Sequence, residues 1–159
     1  MLRRVFTGVL AGGLFLLLGG RAMAAAPPQT LTFTTHHVVD TVVDVNPSCV
    51  DTGPLYEITT TTNSVTHYTS FADGRIHVVF TETGTFTAVP FDDPSLPSTA
   101  GKFTETGTFN DNGQGTVTAT ATFNIRGTGS DGSSFSRYTV DHFNTTPPGA
   151  EFFVTHCHD

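Results

Sequence analysis

FTETGTF, at residues 80–86, recurs unchanged at residues 103–109. In an extended strand the side chains alternate between two faces, so each copy places Phe, Glu, Gly and Phe on one face and three Thr on the other. Residues of the β-branched and aromatic types favour strands, and a Pro-containing loop around residues 93–94 separates the two copies. The repeat therefore predicts two neighbouring β-strands, each with an aromatic face and a hydroxyl face.

The same period of two runs through most of the chain, and no stretch shows the apolar spacing of an amphipathic helix. Asp-Gly and Asn-Gly pairs at 73–74 and 112–113 are typical of tight antiparallel connections. The sequence therefore predicts an all-β protein, an antiparallel meander of seven or eight long strands that closes into a small β-barrel. The predicted strands are 31–45, 55–71, 76–89, 103–109, 116–126, 133–144 and 151–157.

Asn63 and Ser64 decide the strand count. A hairpin turn there gives eight strands, whereas a bulge within one long strand gives seven. Cys49 and Cys157 are the only cysteines, and in an exported protein an even count predicts a disulfide. Seven strands bring both cysteines to the same end of the barrel, and a disulfide needs Cα atoms within about 7 Å. The disulfide interpretation therefore favours seven strands or an additional pairing.

The N-terminal segment has the pattern of a secretory signal peptide. Arg3 and Arg4 precede an uncharged apolar run at 5–20, and Ala22-Met23-Ala24 supplies small residues at the cleavage positions. The alternative is a membrane anchor, but the run is shorter than the ~20 apolar residues that span a bilayer. The twin-arginine export route is a second alternative to general secretion. We expect a signal peptide at 1–24, cleavage after Ala24, and one secreted β-barrel domain at 25–159.

The chain without this segment is strongly acidic. Its cations are Arg75, Lys102, Arg126 and Arg137, against 14 acidic residues, which gives a net charge of −10 with His neutral. A surface of this sign repels nucleic acid and anionic membranes, so neither is an expected partner. Neither this charge nor the alternation of residue types predicts an oligomeric state.

Several short stretches resemble a group of small exported bacterial proteins whose function is not established. More distantly, the Phe-, Gly- and Thr-rich meander is similar in shape alone to lipocalins and to the allene oxide cyclase and dirigent group, and it carries none of their motifs. The resemblance implies export and the fold, and it brings no catalytic residues with it. The stretches that carry it are TTHH at 34–37, DVNP at 44–47, NDNGQ at 110–114, RGTGSDGS at 126–133 and HCHD at 156–159.

Glu82 and Glu105 are the candidate acid/base residues, because alternation aims both toward the barrel interior. If partner numbers in the two strands sum to 187, the two Glu lie directly opposite, about 5 Å apart at Cβ, and one of them holds a proton near neutral pH. A sum of 191 separates them by ~13 Å along the strand. A further alternative places bulges at Gly84 and Gly107 and aims both Glu toward solvent.

Other candidate site residues surround this pair. His37 shares the predicted interior face and is a third catalytic candidate, and Arg137 is a possible counter-charge. Phe80, Phe86, Phe103 and Arg137 are the predicted ligand-binding residues. The HCHD terminus contains two His at alternate positions, but Cys157 is assigned to the disulfide, and the metal-binding spacings of zinc fingers and HExxH are missing, so we predict no metal and no cofactor.

Three functions compete on this evidence. The first is a binding or interaction module for a small apolar or weakly polar ligand, since a small barrel holds side chains or one small ligand. The second is an isomerase or hydrolase that uses Glu82 and Glu105 as an acid/base pair. The third is a structural exported protein without a ligand.

Overall fold

The computed structural model describes residues 26–45, 52–147 and 149–158. These residues form a single seven-stranded sheet in which every strand pairs antiparallel with the next along the chain. No helix occurs among them. The strands are β1 (Gln29–Val45), β2 (Leu55–Ser70), β3 (Ile76–Pro90), β4 (Thr99–Asp111), β5 (Val117–Gly129), β6 (Ser134–Thr146) and β7 (Ala150–His158).

The predicted all-β meander is confirmed, and its strand count is seven. β2 continues through Asn63 and Ser64, and its pairing with β3 is unbroken from Tyr56 to Ser70. The hairpin alternative at this position was therefore wrong, and so was the bulge within β2, because the extra residue lies on the opposite strand, in β1 between Thr35 and Val38. The tight connections contain glycines with positive φ, as the Asp-Gly and Asn-Gly pairs predict, at Gly74, Gly113 and Gly132.

The sheet has two chemically different faces. Strand pairing places Phe80, Phe86, Phe103, Phe123 and Phe135 on one side, which we call the phenylalanine face. The other side, the threonine face, carries the alternating Thr residues of β2 to β5. Most buried residues belong to the phenylalanine face, and a cluster near one end of it forms the core, consisting of Tyr56, Ile58, Phe86, Ala88, Phe103 and Ile125.

A bulge in β1 changes which residues share a face. The pairing with β2 shifts by one residue between Thr35 and Val38, and His37 has a φ of 54°. An extra residue in one strand reverses the alternation beyond it. Strict alternation from Phe33 predicts Val39 and Val43 on the phenylalanine face, but this is wrong, and Val38 and Val42 take that face instead.

Within the described residues the sheet is open. β1 contacts only β2, and β7 contacts only β6. Apolar side chains on β1 are well exposed, Leu31 to 57%, Phe33 to 52% and Val39 to 64%. Closure into a barrel therefore stays a prediction.

Two further predictions fall outside the described residues. The signal peptide at 1–24 and Cys49 both lie there, so export and the Cys49–Cys157 disulfide stay predictions. In the described part of the chain, no helix has the length and apolar character needed to cross a membrane.

Candidate functional site

Glu82 and Glu105 lie directly opposite each other on β3 and β4. Partner numbers in the two strands therefore sum to 187, and the alternative register with a sum of 191, which separates the two Glu along the strand, was wrong. The pairing runs without interruption past Gly84 and Gly107, so neither glycine marks a bulge in this ladder. Directly opposed residues in an antiparallel pair have Cβ atoms about 5 Å apart. The repeat therefore brings its two carboxyl groups together on the phenylalanine face.

Phenylalanine rings cover the two glycines that flank the pair. A Cβ built on Gly107 would come within 2.6 Å of the Phe80 ring, and one on Gly84 would come within 2.8 Å of the Phe103 ring. No side chain could occupy either position without displacing a ring. The rings of Phe80 and Phe103 therefore cover the backbone at Gly107 and Gly84, on either side of the Glu pair.

The two carboxyl groups have unequal environments. Glu105 is only 9% exposed, whereas Glu82 is half-buried. Burial, followed by the negative charges of Glu82 and Asp141, raises the pKa of Glu105 to about 7. Burial also raises the pKa of Glu82 above its usual range. Near neutral pH the pair can therefore hold one proton, which is the condition for one group to donate while the other accepts.

Asp141 is a third acid on the same face, and the sequence analysis did not select it. It is 4% exposed and accepts a 2.7 Å hydrogen bond from the Thr155 hydroxyl of β7. Its charge contributes to the raised pKa of Glu105. Strict alternation from Phe135 through Arg137 and Thr139 reaches Asp141, so the strand phase of β6 was the signal that could have identified it.

The predicted ligand-binding residues share the phenylalanine face. Phe80, Phe86 and Phe103 lie on the two strands of the repeat, and Arg137 lies two strands further, opposite Ile125 of β5. The Arg137 guanidinium lies 5.4 Å from the centre of the Phe135 ring. The structure thus brings the four residues and both Glu to one surface, while their role in binding stays a prediction.

His37 does not join this group. It lies in the β1 bulge, where its backbone N–H donates a 3.2 Å hydrogen bond to Oδ1 of Asn63. It borders a depression formed mainly by the threonine face. The prediction that His37 shares the face of the Glu pair was therefore wrong, because the bulge interrupts the alternation on which the prediction depended.

The histidines of β7 lie near the edge of the sheet. His156 pairs with Val140, and His158 pairs with Tyr138, whose ring centre is 6.4 Å from the imidazole. Cys157 lies between them on the phenylalanine face, with Sγ 3.4 Å from Oγ1 of Thr139. Among the described residues, no group of three or more His, Cys, Asp or Glu is arranged to hold a metal ion.

Comparison with known proteins adds no assignment to this geometry. The resemblances noted from the sequence stay predictions, and the site must be interpreted from its own chemistry. No protein-family model, curated protein or solved structure matches the chain.

Proposed function

We propose that the protein is an exported binding module whose phenylalanine face takes a small apolar molecule carrying a hydrogen-bond donor, such as an amine or a hydroxyl group. The proposal depends mainly on the environment of the Glu105 side chain. This side chain is nine-tenths buried among aromatic rings, beside a second carboxyl group. Among the described residues, no hydrogen bond to its carboxyl group is present, and its oxygens keep some contact with solvent, since Thr99 Oγ1 is the described side-chain atom that is fully buried without a partner.

A carboxyl group that is largely withdrawn from water loses hydration, and it needs a hydrogen-bond donor to replace that hydration. Asp141 satisfies this requirement through Thr155, whereas Glu105 has no equivalent donor. A ligand that donates to Glu105 or Glu82 would supply the missing hydrogen bond. The Phe rings would contact the apolar part of the same molecule.

Small residues beside the acids favour a ligand over a packed interior. Ala119 and Ala121 of β5 are buried on the phenylalanine face, where Ala121 pairs with Asp141. In barrels of seven or eight strands, the interior holds side chains or one small ligand. Short side chains at these positions support space for a bound molecule between the aromatic rings.

The proposal includes closure of the sheet into a barrel by the Cys49–Cys157 disulfide. With seven antiparallel strands, β1 and β7 run in the same direction, so their C-terminal ends lie at the same end of the sheet. Cys49 follows the end of β1 by four residues, and Cys157 is near the end of β7. Closure would cover the exposed apolar side chains that β1 carries on the phenylalanine face, such as Leu31 and Phe33, and place the Glu pair in the interior.

Three ligands with the same alkyl chain test the proposal at pH 8. Octylamine and octanol carry donors, whereas octanoate carries only an acceptor at this pH. Isothermal titration calorimetry should show octylamine binding at least about tenfold more tightly than octanoate, because opposite charges attract and like charges repel beside the pair. Equal binding of the two ligands would contradict the proposal.

Glu105→Gln identifies the site. The variant should lose the preference for octylamine over octanoate, because it removes the buried charge while keeping the shape. Glu57→Gln is the matched control, since Glu57 is exposed on the threonine face of β2. If the two variants change the preference equally, the phenylalanine face is not the binding site. If no ligand binds to the folded wild-type protein, the structural function without a ligand is the better interpretation.

The direct opposition of Glu82 and Glu105 also favours a second candidate function, that of an isomerase or hydrolase with an acid/base pair. In such a pair one group is protonated and the other ionised at working pH, and the raised pKa of Glu105 meets this condition. Hydrolysis of p-nitrophenyl glycosides and esters by the wild type and by Glu82→Gln and Glu105→Gln tests it. Activity that both substitutions leave unchanged would remove this candidate.

A further inference from the structure

A second surface, on the opposite side of the sheet from the Glu pair, has the features of a ligand site. It is a depression of about 650 Å³ that crosses β2 to β6 and is bordered mainly by the threonine face, with Gly84, Phe103, Ile125 and Arg137 of the phenylalanine face also at its border. Sites for small molecules usually have volumes of about 300 to 1,000 Å³. The side chains of this face that border it are Thr61, Asn63, Thr83, Thr85, Lys102, Thr104, Asn124, Arg126 and Ser136.

Lys102 and Arg126 are directly opposite each other on β4 and β5 within this depression. Both side chains are exposed, and within the described residues neither has a hydrogen-bond or ion-pair partner. By contrast, Arg75 makes a 2.8 Å ion pair with Asp73. Half of the four cations that follow the predicted signal peptide therefore meet at one place.

The arrangement does not stabilise the sheet. Like charges directly opposite on neighbouring strands are destabilising, and the part of the chain that follows the predicted signal peptide, with a net charge of −10, offers many carboxylates for pairing. None of the described residues that border the depression is Asp or Glu. The two cations thus create a local positive potential within an acidic protein, which is suited to one anionic group.

The remaining border indicates what accompanies that anionic group. It consists largely of hydroxyl and amide side chains, which both donate and accept hydrogen bonds. Asn63 Oδ1 already accepts a hydrogen bond from the His37 N–H, which leaves the amide NH₂ of Asn63 as a donor toward a ligand. Such a surface matches a molecule with several hydroxyl groups and one negative charge.

We propose that this depression binds an acidic sugar, with its carboxylate between Lys102 and Arg126 and its hydroxyl groups on the Thr and Asn side chains. Arg126 offers two parallel N–H donors to a carboxylate, and Lys102 adds a second positive charge. The site is distinct from the Glu pair, because Lys102 and Arg126 lie on the opposite side of the sheet from Glu82 and Glu105. Its ligand class differs from that of the Glu pair.

Titration of the ¹⁵N-labelled protein followed by NMR distinguishes the contributions of charge and hydroxyl groups. The probes are glucuronate, glucose, acetate and inorganic phosphate. Glucuronate should shift the amide signals of Lys102, Arg126 and Asn124, and it should bind at least about tenfold more tightly than glucose or acetate. Glucose binding as tightly as glucuronate would overturn the role of the cations. Phosphate binding as tightly would show a simple anion site and overturn the sugar assignment.

The double variant Lys102→Gln/Arg126→Gln should weaken glucuronate binding at least about tenfold, and raising the salt concentration should weaken binding to the wild type. The variant should melt no lower than the wild type, because it removes a repulsive pair, so loss of binding would not reflect unfolding. Arg75→Gln is the control, since Arg75 lies at the β2–β3 turn. Equal effects of the double variant and of Arg75→Gln on binding would overturn the proposal.

Discussion

Phe86 and Phe135 lie on strands separated by two others, yet their ring centres are only 6.2 Å apart. The row that joins them passes through Gly101 of β4 and Gly127 of β5. Adjacent strands are about 4.8 Å apart, and three such intervals separate Phe86 from Phe135. Rings that stood perpendicular to the sheet would not meet across this distance. The two rings instead lean toward each other over the glycines and cover the backbone between them.

Gly101→Ala should destabilise the protein by about 1 to 3 kcal/mol, as overpacked core sites do. A Cβ at this position would contact the carbonyl oxygen of Arg126 and lie 2.8 Å from the Phe86 ring. Urea denaturation measures the change in the free energy of unfolding. Gly53→Ala is the control, because Gly53 has open space around its Cβ position and no positive φ. Equal stability of the two variants would show that the row is not tightly packed.

The stability of the protein should fall as pH rises from about 4.5 to about 7. The folded state keeps a proton on Glu105 in this window, because its pKa is raised to about 7 from the usual 4.5, while the unfolded state releases the proton. Each pH unit then lowers the free energy of unfolding by about 1.4 kcal/mol, or about 3 kcal/mol in total. Urea denaturation at pH 5, 6, 7 and 8 checks the slope.

Glu105→Gln removes the titratable carboxyl group. The free energy of unfolding of this variant should therefore lose the part of its pH dependence that Glu105 contributes. At pH 8 it should be more stable than the wild type, since the wild type must then bury a charged carboxylate. The exposed-site variant Glu57→Gln should keep the slope of the wild type. An unchanged slope in Glu105→Gln would assign the pH dependence to other groups.

Glu82→Gln and Asp141→Asn should each lower the pKa of Glu105 without returning it to 4.5. Both acids raise this pKa through their charges, but burial of Glu105 is the larger cause and remains in both variants. NMR titration of ¹³C-labelled Glu carboxyl groups measures the effect directly. Loss of the whole shift in Glu82→Gln would mean that charge repulsion outweighs burial.

Cys49 and Cys157 should resist labelling by a thiol reagent in the exported, unfolded protein until a reductant is added. The loop that they would close exceeds 100 residues, for which chain entropy gives up to ~4 to 5 kcal/mol of stabilisation. Cys157→Ser should therefore lower the free energy of unfolding by several kcal/mol on that model. Two labelled thiols per chain without reductant would exclude the disulfide.

Much of the fold could be predicted from local patterns. Alternation in β3, β4 and β5 is regular. In the observed register, in which partner numbers sum to 187, Phe80 pairs with Gly107 and Phe103 pairs with Gly84, and such Phe–Gly pairs stabilise a sheet. The strand count of seven was favoured by the expected disulfide and is confirmed by the continuous β2.

The errors concern positions where alternation is interrupted or ambiguous. The bulge at His36 and His37 has no glycine to signal it, although His37 adopts a positive φ. This one extra residue moved His37 away from the Glu pair and exchanged the two faces of the second half of β1. Asp141 was missed because each face of β6 mixes apolar with polar residues, so only continued alternation from Phe135 places Asp141 on the phenylalanine face.

The register of the repeat gives it a local two-fold symmetry. Residues 80–84 pair with residues 107–103, so exchanging the two copies reproduces the same pairs, and the axis passes between Glu82 and Glu105. The flanking strands break this symmetry, because Ser64 neighbours Glu82 on one side and Phe123 neighbours Glu105 on the other. Two identical heptapeptides thus yield two different acids. Glu82 is half-buried, whereas Glu105 is nine-tenths buried and its pKa is raised to about 7.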